Sequence, residues 1–208
     1  MGSDSSATTR AKIRAAAKST GLFALTQPKQ KDQAPTQLML CVARETLAAA
    51  NPNNMDSAFG PSAGVLGGVT GALAQSHLEP LLAGDKRASF GFTEPDDVQP
   101  TQGQITGEHL TVTGQKSYVT GGADADFINC LVHIEGRGPS MVVIDTDTEG
   151  VVLAKKFVSL DGSHHAAFRF EGVVVPSHHI IGEPGQGLPK AMRQIGDTRL
   201  LFAAQANG

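Results

Sequence analysis

Residues 91–97 read Gly-Phe-Thr-Glu-Pro-Asp-Asp (GFTEPDD), and the chain changes character across them. Upstream, as in Leu82-Ala83-Gly84-Asp85-Lys86, the pattern is helical. Downstream, His109-Leu110-Thr111-Val112-Thr113 alternates apolar and polar residues, the period of a half-buried strand. A plain linker at such a junction needs only Gly and Ser. Thr93-Glu94-Pro95 therefore leaves two readings open, a hinge or the floor of a binding site.

Working outward, the first half reads as helices. Residues 5–18 are Ala-rich with spaced Arg and Lys, and Gly21 suits the end of a helix. Pro35-Thr36 opens a second helix running to Ala50, which Asn51-Pro52-Asn53-Asn54 should break. Residues 57–69 are Gly-rich and only weakly helical. Residues 70–82 form a better helix, with Gly84 as its cap. Strands are expected over 109–113, 127–134, 140–145, 150–157, 165–170 and 172–175. The turns between them fall at Thr113-Gly114, at 136–139 and at Asp161-Gly162. Residues 182–187 (GEPGQG) make a turn, and 188–207 are helical again. The expected fold is α+β: an N-terminal helical region (1–88), an antiparallel β-barrel or sandwich domain (89–187), and the start of a helical domain (188–208).

The 208 residues are 40% apolar and 18% charged, the balance of a soluble globular protein. A net charge of −3 argues against nucleic acid or an anionic membrane as partner. No apolar run of 18 residues exists to span a bilayer, and MGSDSSATTR lacks the apolar core of a signal peptide. A cytoplasmic location is the expectation. Cys41 and Cys130 sit far apart in apolar runs, as buried free thiols do.

Few motifs carry chemistry outright. GEPGQG lacks the GxGxxG spacing of a phosphate cradle and reads as a strand-to-helix turn. His164-His165 and His178-His179 are adjacent pairs, which point to opposite faces of a strand, and no carboxylate stands at a spacing that completes a metal site. No metal is expected. Ser163 follows Gly162 but is not in a GxSxG elbow. Thr93 and Thr120 share a setting: an apolar lead-in, a Thr, then a turn. Each is either an ordinary turn threonine or a hydroxyl and N–H able to bond the edge of a planar heterocycle. Tyr118, two residues before Thr120, should face the same way and offer a stacking ring.

Five stretches, in order, carry a family likeness: GFTEPDD, VTGQKSYVTGGADADF, LDGSHHAAFRFEGVVVP, IIGEPGQGLPKAM and GDTRLLFAAQANG. With them the chain resembles the acyl-CoA dehydrogenase family, over the end of its N-terminal helical domain and its middle β domain. Upstream, GLFALTQP and EPLLAGDK fit more loosely. The resemblance implies an FAD-dependent oxidoreductase that removes hydrogen from the α and β carbons of an acyl-CoA or other acyl thioester. It assigns flavin contacts to Phe90, Phe92, Thr93, Tyr118 and Thr120, and substrate contacts to Thr198 and Arg199. Tyr118 stands where the family usually has Trp.

The departures are equally specific. After TEP the family usually has Gly-Ser-Asp, whose serine contacts cofactor and substrate; here Asp96-Asp97-Val98-Gln99-Pro100 follows. The family's C-terminal helical bundle, which carries the catalytic glutamate, has no counterpart before Gly208, so no catalytic residue is assigned. The expectation is a truncated or split dehydrogenase, partnered in a homo-oligomer or by a complementing C-terminal chain. The alternative is an inactive binding or assembly module that keeps the middle domain.

Overall fold

The computed structural model describes residues 3–27, 35–50, 55–159 and 163–208. The Asn51–Asn54 breaker and the Asp161-Gly162 turn lie outside the described residues. Two compact units result: residues up to Gly64 together with Gln194–Gly208, and Val65–Arg193.

The first unit is helical. It contains α1 (Ser3–Thr20), a 3-10 turn (Phe23–Thr26), α2 (Gln37–Ala50), α3 (Met55–Ala58) and the second half of α6 (Gly187–Asn207). Thr36 caps α2, its Oγ1 accepting the Met39 N–H at 3.2 Å. Ala48, Ala58 and Phe59 are the buried centre, with Ile13, Leu25 and Leu47 packed around them. The Arg44 guanidinium lies 4.6 Å from the Phe59 ring centroid and donates to Gln205 at 3.2 Å, tying α2 to α6. Cys41, expected to be buried, is only half-buried on α2, because the helix turns it toward the rim of this small core.

The second unit is a sheet with helices on one face. Its helices α4 (Gly71–Leu73) and α5 (Glu79–Ala83) are continuous through a π turn at Ala74–Leu78. Pro80 has no N–H to continue the α ladder, and the widened turn lies just before it. Gly84 caps α5 at φ +86°, its N–H bonding Leu81 O, while Asp85 N–H reaches Pro80 O at 2.9 Å.

Seven strands follow: β1 (Ala88–Gly91), β2 (Gln102–Thr106), β3 (His109–Thr120), β4 (Phe127–Ile134), β5 (Gly138–Asp145), β6 (Val151–Val158) and β7 (His164–Pro176). Their order is β6-β7-β3-β2-β4-β5, and β1 shares with β2 the flank of β4 that β5 leaves open. β1 and β2 run parallel to β4, a departure from the all-antiparallel expectation. The cause is connectivity: the β2–β3 hairpin returns the chain to the start of β1, so β4 sets out in the same direction. β1 and β2 themselves carry Gly, Ser and Gln, and their weak pattern hid them from the sequence reading. Thr113-Gly114 is not a turn either. β3 runs straight through it with a shift of register, and β7 likewise passes through Gly172 as one strand.

Alternation places Ile128, Cys130, Val132 and Ile134 in a core with Val112, Val142, Phe168 and Val173. Phe127, Met141 and Val143 point the other way, beneath Leu66, Leu73, Leu81 and Ala191. β4 and β5 read as unbroken apolar runs because both of their faces are covered. Among the described residues no helix is long and apolar enough to cross a membrane.

The helical unit leaves Leu38, Met39 and Val42 of α2 exposed, together with Leu200 and Phe202 of α6. Positions 38, 39 and 42 form one helical stripe, and the Cys41 thiol lies 3.9 Å from Leu200 O, so the two sets are neighbours. Self-association at micromolar concentration is the expected outcome, measured by multi-angle light scattering. The L200E/F202E double variant should shift it toward monomer.

Candidate functional site

The site is built where β1 and β2 occupy consecutive stretches of the same flank of β3. Thr93 O accepts the Ser117 N–H at 2.8 Å, and Ser89 Oγ donates to Thr120 O at 2.9 Å. Farther along, Thr101 Oγ1 donates to Gln115 O at 3.1 Å before β2 pairs with the start of β3. Between Thr93 and Thr101 the chain leaves the sheet in a loop, Glu94 to Pro100. Its turn includes Asp97 at φ +62°.

One carboxylate closes the mouth of that loop. Glu94 Oε1 accepts the Thr101 N–H at 2.7 Å and the Lys116 ammonium at 2.7 Å, and Lys116 Nζ also reaches Phe92 O at 3.3 Å. Lys116 is 1% exposed, an unusual depth for a lysine. Burial alone pushes the Glu94 carboxyl up, but the bonds from Lys116 and Thr101 outweigh it and hold the group below its ordinary value. Burial pushes the nearby Cys130 thiol up to about 12, so it stays a neutral packing group. Gly91 makes room for this arrangement: a Cβ there would lie 2.9 Å from both Cys130 Sγ and Ile128 Cγ2, and 3.4 Å from the Lys116 stem.

Immediately after Lys116 the β3–β7 register shifts, and Tyr118 adopts φ +52°. That left-handed backbone is rare for a bulky residue. The bulge turns Tyr118 outward to 65% exposure. Its ring meets Phe157 edge-on at 5.2 Å, and Phe157 stacks on His165 at 5.6 Å. Thr120 Oγ1 lies 3.1 Å from His165 Nδ1, and Ser163 Oγ lies 3.2 Å from its Nε2. Tyr118 and Thr120 therefore share one outward face, as their spacing suggested.

Phe90 and Phe92 point away from Lys116. They stack with 8° between their planes at 6.0 Å and are half-buried against the core beneath the helices. Thr93 is exposed beside Ser117. Of the five candidates in the sheet unit, Thr93 meets the backbone of Ser117 beside Tyr118, and Tyr118 and Thr120 both reach His165, while Phe90 and Phe92 pack in the core beneath the helices. Thr198 and Arg199 are exposed on α6 in the helical unit. Residues 182–187 form the turn expected of them, with Gly185 N–H donating to Ser140 Oγ at 2.8 Å.

Sequence reasoning missed three features here. Lys116 gave no signal beyond a lysine at an inward-facing strand position. Asn129 pairs with Phe90 in the β1–β4 ladder and is 5% exposed, yet its Oδ1 has no hydrogen-bond partner among the described residues. The third is a group formed by two buried histidines, His77 and His179, and the half-buried Asp145. The His178-His179 pair lies in a 3-10 turn rather than a strand, and the carboxylate that meets it comes from far along the chain.

No protein-family model matches the chain. It is 30% identical over 145 residues to a short-chain specific acyl-CoA dehydrogenase of Clostridium acetobutylicum, covering 64% of this chain and 38% of the relative. The human mitochondrial short-chain specific acyl-CoA dehydrogenase is 28% identical over 145 residues, with 64% and 35% covered. Among solved structures, a probable acyl-CoA dehydrogenase of Mycobacterium abscessus superposes with a TM-score of 0.76 at 23% identity, covering 95% of this chain and 56% of that one. Butyryl-CoA dehydrogenase of Megasphaera elsdenii gives 0.71 at 25% identity, with 84% and 50% covered. Sequence and fold point consistently to the acyl-CoA dehydrogenase family, and the chain spans little more than a third of the curated relatives it matches.

Replacing Glu94 tests the closure of the loop. Glu94→Gln should destabilise the chain by roughly 3 kcal/mol in chemical denaturation, because it leaves a buried ammonium without its charge partner. The pH sign follows from the lowered carboxyl: its contribution is full above about pH 4.5. It is lost as pH falls through the depressed folded value. The wild-type chain should show this acid loss, and Glu94→Gln should flatten it.

Proposed function

We propose that this chain provides the flavin-facing surface of an acyl-CoA dehydrogenase-type oxidoreductase, with FAD as cofactor and an acyl thioester as substrate. The observation that carries the reading is the outward display of Tyr118 at a strained bulge, beside Thr120 and the loop anchored at Thr93. A positive φ on a large aromatic residue costs about 1–3 kcal/mol and is kept where the surroundings and the function demand it. Two features fit a flavin. The Tyr118 ring stands at steep angles to Phe157 and His165 and stays 65% exposed, which leaves ring surface for stacking on a planar heterocycle. Asn129 Oδ1, beside Phe90, is a buried acceptor that calls for a donor from outside the described residues.

The residues divide the work by position. Tyr118 stacks. Thr93 and Thr120 offer hydroxyls and backbone N–H groups to the ring's polar edge, and His165 orients the Thr120 hydroxyl. Phe90 and Phe92 supply the apolar ground under the loop. On α6, the Arg199 guanidinium suits an anionic or carbonyl group of the thioester arm, and Thr198 stands beside it. Bound flavin supplies acceptance of a hydride from the β carbon. The α proton needs a carboxylate base, and the sheet's engaged carboxylates are committed elsewhere: Glu94 to Lys116, Asp145 to His77 and Lys86, Glu171 to Arg169. We assign the base to none of them. The exposed apolar stripe of the helical unit supports a homo-oligomer or a complementing chain as the setting in which the site works.

Flavin binding tests the reading directly. Titration of the purified chain with FAD, followed by quenching of flavin fluorescence, should show saturable binding. Tyr118→Ala and Thr120→Val should each weaken it about 10-fold, the loss of roughly 1.4 kcal/mol from stacking or one hydrogen bond. Arg199→Ala should leave FAD binding unchanged and weaken acyl-CoA binding. No saturable flavin binding, or binding indifferent to Tyr118, Thr120 and Thr93 alike, overturns the proposal.

A further inference from the structure

The His77, Asp145 and His179 group serves none of the flavin-facing roles. His77 sits in the π turn of Ala74–Leu78, Asp145 ends β5, and His179 closes the 3-10 turn Ser177–His179. Both histidines are buried, at 2% and 8% exposure, and one ligand-capable atom from each of the three residues lies within 4.8 Å of the others. π turns inside helices recur at functional sites, and this one holds His77 where it meets the sheet.

The hydrogen bonds around the group decide what it can hold. Ser76 Oγ spends its only proton on Ala72 O at 2.8 Å, so at 2.8 Å from His77 Nδ1 it must accept the ring's N–H. A neutral His77 then presents the lone pair of Nε2, which faces Asp145 Oδ1 at 3.1 Å and Oδ2 at 3.2 Å. Two acceptors thus face one another, and only a positive centre between them, a second ring proton or a metal ion, satisfies both. His179 completes the set. Its Nδ1–H donates to Val143 O at 3.1 Å, which in the neutral ring leaves the lone pair on Nε2.

We propose that His77, Asp145 and His179 bind a divalent first-row transition ion, Zn²⁺ by the character of the ligands, with a fourth position open to water or an added ligand. Zinc bonds of about 2.0–2.1 Å at a tetrahedral angle set neighbouring ligand atoms about 3.3 Å apart, close to the His77–Asp145 separation already present. Outer partners that fix the tautomer of each ligating histidine are the usual company of such ions, and Ser76 and Val143 O fill that role here. The competitor is Lys86, whose Nζ lies 3.5 Å from Asp145 Oδ1. Its side chain is 34% exposed and free to swing toward water when the ion enters. The inference stands apart from the flavin reading, since none of its residues faces Tyr118 or Thr93.

Metal titration of the tag-free, chelator-treated chain tests it. Zn²⁺ should bind one-to-one by calorimetry, and Co²⁺ should give the visible spectrum of a four-coordinate site. His179→Ala and Asp145→Asn should abolish both signals. Ser76→Ala, a change at an exposed position, should weaken binding about 10- to 100-fold, and Lys86→Met should tighten it. The His164→Ala/His165→Ala variant should bind as the wild type does, which separates this site from the other histidine pair. Absence of stoichiometric Zn²⁺ and Co²⁺ binding by the wild-type chain overturns the proposal and leaves a second proton on His77 as the link to Asp145. Binding that survives His179→Ala combined with Asp145→Asn overturns it equally.

Discussion

The sheet unit depends on one ion pair, between the buried Lys116 and the half-buried Glu94. Glu94 Oε1 gathers the Lys116 ammonium and the Thr101 N–H, and Lys116 also reaches the carbonyl of Phe92. These bonds sit at the interruption between β1 and β2, where the flank of β3 would otherwise face unpaired backbone. Removing a charge pair into the interior is costly, and hydrophobic replacements often do as well for stability. A pair retained here does something an apolar pair cannot: it satisfies a backbone donor and a backbone acceptor at the two ends of a loop. The loop can then leave the sheet and present Thr93 without unzipping the strands on either side.

The same constraint explains the bulge. With Lys116 committed inward, the next inward residue of β3 is Val119, which pairs with Ala166 in the core. Two residues, Ser117 and Tyr118, lie between them where alternation allows one. The extra residue has to be absorbed, and Tyr118 absorbs it at φ +52°. The outward ring and the anchored loop are thus two results of one local misfit in the period of the strand.

Much of this was legible in the residues, and the gaps have physical causes. Strong alternation and unbroken apolar runs marked β4, β5 and β7, since burial on one or both faces leaves that imprint. β1 and β2 left none, because Gly91 and Gly103 occupy positions where close neighbours forbid larger side chains. Gly114 looked like a turn residue for a similar reason. It is a strand residue at φ +152° pressed against Thr101. Of the proposed site, Thr93, Tyr118 and Thr120 were singled out by the family likeness together with their spacing. Lys116 and Asn129 were not, since a polar residue on an inward face shows itself only when the strand's neighbours are known. The histidine group was missed for the opposite reason. Adjacent histidines are conspicuous, but the partners of His179 are 102 and 34 positions away, from His77 and Asp145, and only the fold makes them neighbours.

β4 joins these two regions without mixing them. On its inward face, Ile128 and Cys130 press against Gly91 and so bound the stem of Lys116. On its outward face, the Phe127 ring meets His77 edge-on at 4.9 Å, within the cluster that packs the helices onto the sheet. The strand's period of two keeps the ion pair and the histidine group on opposite sides of one backbone. Substitution of Phe127 bears on the orientation of His77, while substitution of Cys130 bears on Gly91 and Lys116. A ligand at either place can therefore gain or lose its contacts through side chains of a single strand, and the two remain separable by which face is altered.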